Sequence, residues 1–165
     1  MKFMSIDPSS TNLGWAVFDD GGLISYGVIS TDAVPYEMRY LHICQELSAL
    51  YACHDFTEVA CERAIRFEGR RIPALEVAVT SIKKWAERQR RQGHPGFIIY
   101  FYSPSEWKVS AAGSGSATKE EVARVICLEY KQLRADVSDH ITDAIGIGIH
   151  HRAVRRLEEL SAQAD

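Results

Sequence analysis

The opening thirty residues alternate apolar and polar positions in short runs broken by turn residues. Residues 2–7 read as a first strand ending at Asp7, and Pro8-Ser9-Ser10-Thr11-Asn12 is turn chemistry. Leu13 to Phe18 forms a second strand, Asp19-Asp20-Gly21-Gly22 a hairpin turn, and Leu23 to Ser30 a third strand. The period then changes. A helix is expected from about Tyr36 to Ala52, with Leu41, Cys44, Leu47 and Tyr51 on one face, followed by a strand over Thr57–Glu62. After a Gly/Pro-interrupted segment, Phe67–Pro73, a second helix runs to about Gln92 and stops at Gly93-His94-Pro95-Gly96. Phe97–Phe101 reads as a fully buried fifth strand. Ser103-Pro104-Ser105-Glu106 starts a short helix, Thr118-Lys119-Glu120-Glu121 is a capping box for a helix to about Leu133, and a last helix starts near Ser138. A three-strand meander feeding a β/α alternation predicts one α/β domain: a five-stranded mixed sheet, antiparallel then parallel, with helices on both faces. The domain is expected over residues 1–158, with 159–165 a short polar tail.

The 165 residues are 46% hydrophobic and 25% charged, an ordinary globular balance, and no apolar run approaches the roughly 20 residues of a membrane span. Met1–Ser5 lacks a signal-peptide stretch, and Cys44, Cys53, Cys61 and Cys127 contain no CxxC pair, so free thiols in a reducing cytoplasm are expected rather than a zinc site. The net charge of −3 is unevenly spread. Residues 1–62 hold two basic and nine acidic side chains (−7), residues 63–91 nine and three (+6), and residues 92–165 eight and ten (−2). A basic block between acidic flanks suits a phosphate-binding face near a carboxylate site, although an isolated block is as well explained by a solvated helix.

The carboxylates carry the candidate chemistry. Asp7 and Glu62 each close an apolar strand; alone, the first is a turn-forming Asx residue and the second a surface residue. Asp143 lies in Ile141-Thr142-Asp143-Ala144-Ile145-Gly146-Ile147-Gly148-Ile149, apolar almost all round, where an unpaired charge is very costly. Gly146 and Gly148 each cost about 1 kcal/mol against alanine in a helix, which suggests that this helix packs closely on the sheet. His140 and Asp139, three and four residues before Asp143, can share its face. Oxygen and imidazole ligands converging from two strands and a helix would hold hard divalent cations, if the fold brings them together.

The same residues resemble the RuvC resolvases over roughly residues 2–155. Ser5-Ile6-Asp7-Pro8-Ser9-Ser10-Thr11-Asn12-Leu13-Gly14-Trp15 looks like that family's first strand and catalytic turn, with Ser9 where the family usually has glycine. Glu62 matches its glutamate at the end of the fourth strand. Lys108 followed by Gly113-Ser114-Gly115-Ser116-Ala117-Thr118-Lys119 resembles its Lys and Gly-x-Gly-x-Ala-x-Lys, and His140-Ile141-Thr142-Asp143-Ala144-Ile145-Gly146-Ile147 its last-helix motif. One such motif is weak, but four in order are specific. An actin-like ATPase, whose phosphate turn Asp7–Thr11 also resembles, would need about twice this length.

The resemblance implies a ribonuclease-H-like fold and a homodimeric, metal-dependent endonuclease of the bacterial or phage-infected cytoplasm that resolves Holliday junctions, leaving 5′-phosphate and 3′-hydroxyl nicks. It implies two Mg²⁺ ions per site, with Mn²⁺ able to substitute, on Asp7, Glu62, His140 and Asp143, with Lys119 also catalytic. It places DNA contacts at Lys108 and Lys119, with no membrane or small-molecule cofactor involved; Arg66, Arg70 and Arg71, in a segment more arginine-rich than the family's, are phosphate contacts by their charge alone. For the aromatic that wedges into the junction, Ile65 occupies the family offset and Phe67 is the candidate two residues on. The short chain suits a compact phage-type member. The reading from a different class is a branched-DNA-binding protein on this fold that does not cut.

Overall fold

A computed structural model of the chain describes residues 1–9, 11–63, 73–94, 97–134 and 136–163. Among them are five strands: β1 (Phe3–Asp7), β2 (Asn12–Asp19), β3 (Gly22–Ser30), β4 (Glu58–Glu62) and β5 (Ile98–Tyr102). Five α-helices accompany them: α1 (Arg39–His54), α2 (Pro73–Arg91), α3 (Pro104–Ala112), α4 (Lys119–Glu129) and α5 (Asp139–Ala162). The strands form one mixed sheet in the order β3-β2-β1-β4-β5, antiparallel through β3-β2-β1 and parallel through β1-β4-β5. This is the meander-plus-parallel sheet that the polar pattern implies. No helix among the described residues is long and apolar enough to cross a membrane.

Strand alternation divides the core. Met4, Ile6, Val59 and Cys61 point to one face, where Ile43, Cys44 and Leu47 of α1 and Ile82 and Trp85 of α2 cover them. Phe3, Ala16, Phe18 and Ala60 point to the other, under α3, α4 and α5. Asp7 follows Phe3 by two pleats and Glu62 follows Ala60 by one, so both carboxylates fall on the α3–α5 face. The glycines of α5 behave as expected. A Cβ on Gly148 would stand 2.1 Å from the Phe18 ring, and one on Gly146 2.9 Å from Trp107, so only glycine lets α5 lie this close to β2 and α3.

Three expectations need correction. β5 is an edge strand, not a fully buried one: it pairs only with β4 among the described strands, and Ile98 is 45% exposed. Leu41 does not share the buried face of α1; it is exposed, and Ile43 takes its place beside Cys44 and Leu47. The helix expected to reach Leu133 ends at Glu129, because the backbone turns out of the helix at Tyr130 (φ −107°, ψ 76°), whose side chain is buried in the core. All four cysteines are free, Cys44 and Cys61 buried and Cys53 exposed. The last helix runs on through the segment read as a tail, to Ala162.

Candidate active site

Asp7 and Glu62 sit at the carboxyl ends of neighbouring parallel strands. The β1–β4 register pairs Ile6 with Cys61, and one step further along both strands brings Asp7 beside Glu62. Across β1 on the other side, Asp7 is opposite Gly14 of β2. A Cβ on Gly14 would lie 1.8 Å from the carbonyl oxygen of His140, so this glycine admits the first turn of α5 directly over the strand ends. That turn delivers His140, whose Nδ1 is 3.0 Å from Asp7 Oδ2, and one turn later Asp143, 7% exposed. Two strand ends and one helix thus gather residues separated by more than 130 positions.

The electrostatics of the group follow from burial and like charge. Asp143 is pushed from an ordinary 3.8 up to about 7, first by burial, then by the Asp7 carboxylate, with Lys119 opposing and Glu62 and Asp139 adding. Its Oδ1 is buried without a hydrogen-bond partner among the described residues. Burial also raises Glu62, eased by the Trp107 indole N–H, which donates to Glu62 Oε2 at 2.8 Å, and worsened by Asp7. His140 is raised chiefly by its bond to Asp7.

Lys119, the first residue of α4, reaches over to Asp139, Nζ to Oδ2 2.7 Å. That pair raises Lys119 and lowers Asp139, each chiefly through the hydrogen bond between them. Asp139 therefore faces Lys119 rather than His140. Lys108 Nζ donates to the Ala117 carbonyl at 2.8 Å, tying α3 to the loop before α4. Asp7, Glu62, His140, Asp143 and Lys119 thus share one neighbourhood, while Lys108 lies at its rim. Ile65, Arg66, Phe67, Arg70 and Arg71 lie outside the described residues. Of the basic block, Lys83, Lys84, Arg88, Arg90 and Arg91 occupy the exposed side of α2.

Among the described residues no three His, Cys, Asp or Glu side chains close around one point at ligand distance, with Asp7 bonded to His140 and Glu62 to Trp107. The donor set nonetheless fits a hard divalent cation: three carboxylates and an imidazole, one carboxylate oxygen buried and unbonded, and mutual repulsion that a cation relieves. Two features here were not read from the sequence. The Trp107–Glu62 bond joins residues 45 apart, and its one available signal was a tryptophan immediately before Lys108 in a helix start that supplies motif residues. The second is a buried cluster at the opposite end of β4, where Glu58 accepts from Arg155 at 3.0 and 3.1 Å and stands 3.0 Å from His151 Nε2.

The family model for crossover junction endodeoxyribonuclease RuvC matches residues 3–151. The chain is 30% identical over 162 residues to the crossover junction endodeoxyribonuclease RuvC of Campylobacter jejuni serotype O:2, covering 95% of this chain and 98% of that one. It is 27% identical to the RuvC of Rhodococcus jostii, covering 92% and 80% respectively. Among solved structures, Thermus thermophilus RuvC in complex with a Holliday junction substrate superimposes with a TM-score of 0.76 at 26% identity, over 96% of each chain. A second Thermus thermophilus RuvC structure also gives 0.76, at 24% identity, over 96% of this chain and 97% of that one.

Proposed function

This chain belongs to the RuvC family, crossover junction endodeoxyribonucleases, and from that premise we propose that it resolves four-way DNA junctions by metal-dependent hydrolysis at the Asp7–Glu62–Asp143 cluster. The observation that carries the reading is Asp143: a carboxylate 7% exposed, with an unbonded oxygen, placed beside two other carboxylates. Such an arrangement costs the fold stability, and a bound cation that takes up the charge is the function that offsets the cost.

Asp7, Glu62, His140 and Asp143 would hold the metal, Mg²⁺ by the oxygen-rich donor set and two ions by resemblance to the family, with Mn²⁺ tolerated through the imidazole. The chemistry such ions supply is activation of the attacking water and neutralisation of the charge developing on the leaving 3′ oxygen. His140 would ligate only as a neutral imidazole, through a ring nitrogen free of its proton, and its Nδ1 contact with Asp7 orients the ring. Lys119, held beside the carboxylates by Asp139, would meet the scissile phosphate. Lys108 and the basic segment over Arg66, Arg70 and Arg71 supply phosphate contacts, and Phe67 stacks at the crossover. Two copies of the chain, acting as a homodimer, cut opposed strands.

The test is a cleavage assay with Mg²⁺ on a four-way junction and on flap, splayed and linear DNA sharing one core sequence. Paired nicks with 5′-phosphate ends, fastest on the junction, are expected. Tight junction binding without any nicks would replace the reading by that of a non-cutting junction binder.

A further inference from the structure

Trp107 is a large aromatic, 1% exposed, at the fourth position of α3. Its placement is fixed from both sides. Below, Ser103 and Glu106 cap the helix start, the Glu106 carboxylate accepting from the Ser103 N–H at 2.6 Å and from its hydroxyl at 2.7 Å. Above, the ring lies on Gly146 of α5, where any side chain would meet it at 2.9 Å. A buried indole N–H must find an acceptor. Here the acceptor is Oε2 of Glu62, at 2.8 Å, on a strand end 45 residues away.

We propose that Trp107 is a positioning residue for Glu62: its N–H holds one carboxylate oxygen, so that the other is presented to the space shared with Asp7 and Asp143. The inference rests on Glu62 being a metal ligand, as proposed above. A free glutamate has three rotatable bonds, and an ion would have to order all of them. With Oε2 fixed by a rigid ring that is itself locked between two helices, that ordering is done before metal arrives. The device also gives α5 a second route to the site, through Gly146 and Trp107, besides its own Asp143. Hydrogen-bond partners that orient a metal ligand typically change metal affinity by about 10–100-fold when removed.

The experiment is calorimetric titration of Mn²⁺ into the DNA-free protein for wild type, Trp107→Phe, Glu62→Gln and the double variant, with melting temperature and metal-free junction affinity measured alongside. Trp107→Phe is expected to weaken Mn²⁺ binding about 10–100-fold while junction affinity in EDTA is unchanged. In the Glu62→Gln background the same substitution should have no further effect. Should the phenylalanine variant fold poorly, benzothienylalanine at position 107 keeps the ring shape, lacks the N–H donor, and should show the same loss. Unchanged Mn²⁺ affinity in both position-107 variants, with Glu62→Gln still impaired, overturns the positioning role and leaves the ligand assignment standing. A loss that persists in the Glu62→Gln background also overturns it, showing that packing alone is at work. Wild-type Mn²⁺ binding by Glu62→Gln itself removes Glu62 from the metal set and ends both claims.

Discussion

Burial and the neighbouring Asp7 carboxylate push the Asp143 carboxyl from 3.8 to about 7, so its ionised form is held against the preference of the folded chain. Below about pH 4 folded and unfolded chains both carry the acid. Between there and about 7 the unfolded chain loses its proton first, so this residue makes stability fall as pH rises. At 1.36 kcal/mol for each tenfold change, the ceiling on that loss is about 4 kcal/mol. Asp143→Asn should therefore abolish nicking, keep junction binding, and raise the melting temperature of the metal-free protein at pH 8 by at least about 2 °C, with a smaller gain at pH 5. Calorimetry at the two pH values checks it; a lower melting temperature at pH 8 would remove the strain argument. His140 shifts in the same direction: the Asp7 bond favours the protonated ring, which cannot ligate, so metal-dependent cleavage should fall with acidification, starting above an ordinary histidine's range near 6.5. His140→Asp should stay active with Mg²⁺ to lower pH, whereas His140→Ala should be severely impaired. Asp139→Asn should have a mild effect, confined to the placement of Lys119. Rate–pH profiles of the three variants in each metal decide this; a dead Asp139→Asn beside an active His140→Ala would exchange the two roles.

At the scale of elements, the site depends on how closely α5 rides on the sheet. Gly14→Ala inserts a methyl into the His140 carbonyl, so the first turn of α5 must lift away from Asp7. Gly148→Ala inserts one into the Phe18 ring two turns further on. Both are overpacking changes worth about 1–3 kcal/mol, or roughly 2–12 °C in a chain of this size. Their functional effects should differ: Gly14→Ala is expected to cut nicking by more than tenfold, and Gly148→Ala to lower the melting temperature while leaving most of the rate per folded molecule. Equal rates for the two variants would mean that the register of α5 over β1 is not critical.

Across the whole molecule, the charge that meets DNA is segregated rather than abundant. A chain of net −3 binds a polyanion chiefly through its basic segment, residues 63–91, helped by Lys108 and Lys119, so attraction must be local and strongly screened. With six or more phosphate contacts, junction affinity in EDTA should fall about 10³-fold or more between 50 and 200 mM salt. Anisotropy titrations at several salt concentrations measure the slope, and a nearly flat one would rule out the basic block as the binding face. The sequence by itself determined the order and type of the elements, because strand alternation and helix caps are local: Ser103-Pro104-Ser105-Glu106 and Thr118–Glu121 mark helix starts whatever surrounds them. It also singled out Asp143, since a carboxylate in an all-round apolar helix is anomalous wherever that helix packs. What it could not determine was anything set by neighbours distant in the chain. The edge position of β5 depends on which strand ends the sheet, and the early stop of α4 on where Tyr130 finds the core. The bonds of His140 to Asp7, Lys119 to Asp139 and Trp107 to Glu62 span 133, 20 and 45 residues, distances over which periodicity carries no information. Only the packing of α3 and α5 onto one face of the sheet brings those partners together.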